Sequence, residues 1–242
     1  MKRDLLLLFL CLCILAGVSW MSGGKPVPAS AVPSAGGNWT LILDAGHGGE
    51  DGGASTASGH RESDINLAIV RKTQALMTFL GVEPRLIRET DASLHSSEAE
   101  TLRQKKVSDL KHRVELVRET PNALLISVHQ NHFTDSRYGG AQVFFNAGDV
   151  SRQWGEDTQE VLRQVLNPGN NRSAKPISDG IYLFDHISCP ALLVECGFLS
   201  NGEEAALLLT DPYQRKVAMA LAGAYFREIQ MMPTTWEAID NG

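Results

Sequence analysis

The sequence predicts an α/β fold: one domain around a mixed, mostly parallel central sheet of about six strands, flanked by helices. Two observations carry that reading. From about Asn38 to Met231, short apolar runs alternate with amphipathic segments of helical period. Three of the runs also end alike. Leu41-Ile42-Leu43-Asp44-Ala45-Gly46-His47, Leu124-Leu125-Ile126-Ser127-Val128-His129 and Ala191-Leu192-Leu193-Val194-Glu195 each pass from buried-strand residues to a group with chemistry. Strands of an α/β sheet that stop together present their last side chains on one rim, where ligands bind.

Taken in order, Thr40 to Asp44 is the first strand. The turn after it, Gly46-His47-Gly48-Gly49 with Gly52-Gly53, has the backbone freedom to curl closely round a site. No Lys-Ser/Thr follows it, so it is not a phosphate cradle. A helix runs from Glu62 to Leu80, with Ile65, Ala68, Ile69, Lys72, Leu76 and Phe79 recurring near helical period, and Gly81 stops it. Glu83 to Ile87 returns as a strand. The next helix begins near Ser97, where Ser97-Glu98-Ala99-Glu100 has the form of a capping box, and ends by Pro121. The strand that delivers His129 follows, then a strand from Ala141 to Phe145. A helix from Asp149 to Leu166 is broken by Asn167-Pro168-Gly169. The stretch Asn170 to Ser178 is polar and basic, with Arg172 and Lys175, and reads as surface loop in preference to a substrate contact. Ile181 to Phe184 and Ala191 to Glu195 are the last strands. Helices from Gly202 to Leu209 and Pro212 to Gln230 close the domain.

The chain of 242 residues, 43% of them hydrophobic, has room for one domain and an appendage. A net charge of −6 without a Lys/Arg stripe argues against a nucleic-acid partner. Residues 1–21 pair Lys2-Arg3 with an apolar stretch from Leu5 to Met21, which is either a signal peptide or an N-terminal membrane anchor. Residues 22–37 are a Gly/Pro/Ala/Ser linker that includes the cleavage-like Ala29-Ser30-Ala31. Residues 38–231 are the catalytic domain and 232–242 a tail. On either reading of the N-terminus the domain lies outside the cytoplasmic membrane. Cys11 and Cys13 belong to the export segment. Cys189 and Cys196 flank an extended run that would hold their Cα atoms about 20 Å apart, and a disulfide needs less than about 7 Å. Two reduced thiols are expected.

Two imidazoles and a carboxylate suit a hydrolytic zinc ion, which takes three protein ligands and keeps one position open. His47 and His129 are the histidines at strand ends, and Glu62, opening the helix after the glycine loop, is the best third ligand. That leaves Glu195 free to act as a base. Asp44 could hold a ligand imidazole from behind or cap the local turn. Asn131 is a supporting or substrate-side candidate. His132 competes with His129, while His60, His95, His112 and His186 default to solvent.

Leu43-Asp44-Ala45-Gly46-His47-Gly48-Gly49, Arg61-Glu62-Ser63-Asp64, Ser127-Val128-His129-Gln130-Asn131 and Val194-Glu195-Cys196-Gly197-Phe198-Leu199-Ser200-Asn201 resemble blocks of the zinc-dependent N-acetylmuramoyl-L-alanine amidases. The similarity covers about Asn38 to Phe226. It is narrowest to the germination-specific spore-cortex amidases of endospore formers, through Leu102 to Val117, Gly180-Ile181-Tyr182-Leu183 and overall length. The resemblance implies His47, Glu62 and His129 as zinc ligands and Glu195 as the catalytic glutamate. It implies hydrolysis of the amide between N-acetylmuramic acid and L-alanine of peptidoglycan, in spore cortex ahead of muramic δ-lactam formation. Ala45, His132 and Cys196 depart from the family pattern (often proline, alanine and an aliphatic or small residue), and none of these removes a catalytic group. An acidic domain without wall-binding repeats has no electrostatic means of collecting on an anionic polymer, so a membrane tether or an accessory protein is expected to supply proximity. Two rivals stand beside this reading. One is a zinc carboxypeptidase on stem peptides, with Arg88, Arg113 or Arg172 for the terminal carboxylate. The other is a non-catalytic wall-binding protein on an amidase fold.

Overall fold

The computed structural model describes residues 39–232. The expected export segment, linker and all of the tail past Met232 lie outside the described residues. Six strands make one sheet: β1 (Thr40–Ala45), β2 (Arg85–Leu86), β3 (Ala123–Asn131), β4 (Gln142–Phe145), β5 (Lys175–Pro176) and β6 (Ala191–Phe198), in the order β2-β1-β3-β6-β4-β5. β2, β1, β3 and β6 run parallel, β4 is antiparallel to β6, and β5 is parallel to β4. Leu41, Ile42 and Leu43 of β1 and Leu124, Leu125 and Ile126 of β3 are all buried. Runs apolar on both sides belong to a sheet covered on both faces.

The covering helices are α1 (Glu62–Phe79), α2 (Leu102–Arg118), α3 (Asp149–Leu166), the single turn α4 (Tyr182–Asp185), α5 (Gly202–Leu208) and α6 (Asp211–Ile229). α2 and α4 cover one face, where Ile42, Leu125 and Leu193 pack with Val114, Val117, Leu183 and Phe184. α1 and α3 pack with α6 and cover the other. Among the described residues no helix is long and apolar enough to cross a membrane.

The α/β architecture is as the sequence predicts, with local differences. Ile181 to Phe184, expected as a strand, is a helical turn, and the sixth strand is instead Lys175–Pro176, inside the expected loop. Four apolar residues have neither the length nor the period to separate strand from helix. The expected cap at Ser97 is displaced to Thr101, whose side chain accepts from Gln104 N while Gln104 reaches back to the Thr101 N–H, so α2 starts later. Phe79, expected on the apolar face of α1, is 85% exposed; the buried stripe runs through Ile65, Ile69, Thr73 and Met77. Cys189 and Cys196 are free, as expected, and burial pushes the Cys189 thiol up to about 12 and the Cys196 thiol well above its usual range, which keeps both protonated.

Candidate metal centre

Side chains alternate along a strand. Ile42 and Asp44 of β1, Leu125, Ser127 and His129 of β3, and Leu193 and Glu195 of β6 therefore share the face that α2 and α4 cover. Toward the ends of these strands that face changes from apolar packing to polar groups. His129 and Glu195 stand opposite each other in register, and the next pair is Asn131 with Phe198, so β6 carries an extra residue just past Glu195. His47 comes from the turn after β1 with φ of 62°, a left-handed conformation followed by Gly48 and Gly49, also at positive φ. Glu62 is the first residue of α1, where the helix dipole favours a carboxylate.

These three side chains converge. The ligand atoms of His47, Glu62 and His129 all lie within 4.8 Å of one another. Glu62 Oε1 lies 3.3 Å from His47 Nε2 and 2.9 Å from His129 Nδ1. Glycine is required for the approach: a Cβ on Gly46 would sit 2.2 Å from the His129 ring, and one on Gly53 2.5 Å from Glu62 Oε2. Backbone N–H groups of Ala54 and Gln130 donate to the Glu62 carboxylate at 2.9 and 3.1 Å, and Asn66 Nδ2 donates at 3.3 Å.

The electrostatics are those of a site built for a cation. Burial alone would raise the Glu62 carboxyl, but the rings of His129 and His47 outweigh it and carry it well below the ordinary carboxylate range. Burial alone would lower His47, but Asp51 and Glu62 outweigh it and push the ring up to about 9. Two imidazole nitrogens converging on one carboxylate oxygen are a donor set that suits zinc. Glu195 behaves differently. Burial pushes its carboxyl up to about 7, with the charge of His129 opposing and that of Glu62 adding. Its Oε2 is buried without a hydrogen-bond partner among the described residues. It borders a cavity of about 270 Å³ shared with His47, His129, Ile181 and Leu183. An unpartnered carboxyl poised near neutrality, one strand from the metal candidates, can accept and return a proton.

Of the other nominated residues, Asp44 makes no hydrogen bond to an imidazole among the described residues. Its carboxylate accepts from Arg113 and, at 2.6 Å, from Ser127 Oγ. Asn131 is half-buried at the end of β3, where its carbonyl accepts from Leu199 N at 2.8 Å. His132 is exposed and outside the cluster.

Several supporting residues went unnoticed in the sequence. Asp51 Oδ2 lies 3.1 Å from His47 Nδ1 and fixes the ring; its only signal was a carboxylate four residues on. Asn66, one helical turn after Glu62, bonds to Gly46 O and receives Gln130 Nε2. Arg88 and Arg113, nominated as carboxylate binders, are struts. Arg88 donates to the carbonyls of Ala45, Gly46, Ser63 and Thr90. Arg113 donates to Ala45 O, to His47 O at 2.7 Å, and to Asp109 and Asp44. Together they clamp the loop that carries His47.

Comparison with known proteins agrees with this geometry. Residues 41–225 match the N-acetylmuramoyl-L-alanine amidase family. The chain is 34% identical over 182 residues to the germination-specific N-acetylmuramoyl-L-alanine amidase of Bacillus subtilis, covering 75% of this chain and 76% of that one. It is 26% identical over 232 residues to the amidase AmiA of Escherichia coli, covering 77% of this chain and 75% of that one. Among solved structures, the CwlD amidase of Clostridioides difficile, in complex with the GerS lipoprotein, superposes with a TM-score of 0.77 at 40% identity, over 81% of this chain and 100% of that one. With the family match spanning the whole sheet and every residue of the cluster, the chain belongs to the N-acetylmuramoyl-L-alanine amidase family.

Proposed function

We propose that this protein is a zinc-dependent N-acetylmuramoyl-L-alanine amidase that removes stem peptides from peptidoglycan, and that its substrate is spore cortex. The observation that carries the reading is the convergence of His47, Glu62 and His129 within 4.8 Å beside Glu195, whose Oε2 has no hydrogen-bond partner among the described residues. His47, Glu62 and His129 would hold the zinc, which supplies Lewis acidity and lowers the pKa of water toward neutrality. Glu195 takes the proton from the attacking water and returns it to the departing alanine nitrogen. Asp51 keeps the His47 ring in place, and Arg88 and Arg113 keep its loop from relaxing away.

Similarity to a germination-specific relative supports the cortex assignment and a location outside the cytoplasmic membrane. The neighbour solved with a lipoprotein supports the need for an accessory protein. A carboxypeptidase is disfavoured because two of its nominated cations, Arg88 and Arg113, are engaged as struts of the His47 loop. A non-catalytic binder is disfavoured because each of the four catalytic positions keeps its chemistry. Chelation followed by metal readdition tests the assignment: hydrolysis of cortex fragments should vanish and return with one equivalent of zinc. Activity that survives chelation, with zinc shown to be gone, would contradict it.

A further inference from the structure

The basic stretch Asn170 to Ser178, expected as plain surface, forms a wall of a second cavity of about 800 Å³. This cavity shares no lining residue with the one beside Glu195. Both nevertheless border one rim, because β4 begins beside the end of β6. Gln142 at the start of β4 lines the second cavity and is paired in register with Glu195.

Arg172 is the fixed point of the second cavity. Its Nε donates to Gly139 O at 2.8 Å, its Nη1 to Gln142 Oε1 at 2.6 Å, and its guanidinium lies 4.6 Å from the centre of the Phe198 ring. These contacts hold it in one orientation and leave Nη2 without a hydrogen bond among the described residues. Buried Asn170 braces the backbone beneath: it donates to Ala141 O at 2.8 Å and accepts from Arg172 N at 3.1 Å. A Cβ on Gly140 would come within 2.5 Å of its Oδ1. Lys175 is exposed in the same wall and pairs with no carboxylate among the described residues. Of the two acids in the lining, Glu204 is occupied by the N–H groups of Gly140 and Phe198 at 2.6 and 2.8 Å. A guanidinium fixed in advance, with one edge free and a lysine nearby, is built to receive a carboxylate.

Which part of a substrate carries that carboxylate follows from its chemistry. The lactyl carboxyl of the glycan is tied up in the scissile amide and is neutral, so the negative charge near the cut lies in the peptide. Gln142 is one strand, about 4.8 Å, from Glu195. The guanidinium beyond it is within reach of the second or third residue of an extended peptide, at about 3.5 Å per residue. We propose that this cavity is the stem-peptide subsite and that Arg172, with Lys175, binds a peptide carboxylate on the amine side of the scissile bond. The proposal rests on the amidase reading.

The test compares muropeptides that differ only in whether the α-carboxyl of the second stem residue is free or amidated, using the zinc-loaded full chain. Amidation should raise KM about tenfold with kcat little changed, the size expected for one hydrogen bond to a charged group. Arg172→Gln and Lys175→Gln should each shrink that ratio, chiefly by weakening the acid form. Equal losses on both substrates, or no discrimination by the parent protein, would overturn the subsite. Lys175→Gln, on an exposed position, decides the matter if Arg172→Gln fails to fold. Binding of the free acidic and amidated peptides to Glu195→Gln protein reads the same preference without hydrolysis. Acid-selective binding that depends on Arg172 and Lys175, in a protein that cleaves no muropeptide, would sink the amidase reading and leave the subsite standing. Equal binding of both peptides would sink the subsite whatever the activity.

Discussion

Glu195→Gln keeps the volume of the side chain and removes its ability to carry a proton. Hydrolysis should fall by about 10²–10⁴-fold while zinc content stays near stoichiometric, as read by metal analysis beside kinetics. Loss of zinc in this variant would make Glu195 a ligand and leave the proton shuttle unassigned. His47→Ala, Glu62→Ala or His129→Ala should each lose zinc and activity together, because three ligands leave no redundancy. His132→Ala, at an exposed position, should retain both. These residues were legible because each proposed ligand or base stands at the end of an apolar strand or at the start of a helix, and local pattern reveals such ends. Arg113 was misread for the opposite reason. Its partners Asp44 and His47 are 69 and 66 residues away in sequence, and only the folded sheet brings a buried guanidinium to them.

At the scale of elements, Arg113 ties α2 to the end of β1. Arg113→Met strands the Asp44 carboxylate, which Arg113 and Ser127 now hold below its usual range against the burial that would raise it. Breaking a buried pair costs about 3–5 kcal/mol. The variant should show that loss in denaturant unfolding, and Arg113→Met with Asp44→Asn should recover part of it. α6 offers a pH-dependent test away from the site. Burial pushes Glu228 up to about 7, with Asp157 of α3 adding and Arg227 opposing. Its pKa is higher folded than unfolded, so its contribution is full below the unfolded value near 4.5 and is lost as pH rises through about 7. Glu228→Gln should raise Tm at about pH 8 by about 2–4 °C, the shift for about 1 kcal/mol, and leave it unchanged at about pH 4. The long elements could be read from the sequence because period and length accumulate over many residues. The strand expected over Glu83 to Ile87 is present as the shorter β2, whereas the two-residue strand β5 and the single turn α4 could not be read, since tertiary contacts alone decide pieces so short.

For the molecule as a whole, a mostly parallel sheet covered on both faces gathers chemistry from four chain segments onto one rim. The chain enters β1 at Thr40, at the opposite end of the sheet from His47. The alternation of strands and helices was plain in the sequence, because a sheet buried on both sides needs continuous apolar runs. The second cavity was not, since its wall is a polar loop that only the pairing of β4 with β5 and β6 makes concave. The central claim is that this rim cleaves the bond between muramic acid and alanine. Mass spectrometry of spore peptidoglycan digested by the zinc-loaded protein tests it most directly. The account predicts glycan fragments with peptide-free muramic acid and intact stem peptides beginning in L-alanine; shortened stems still attached to muramic acid would contradict it.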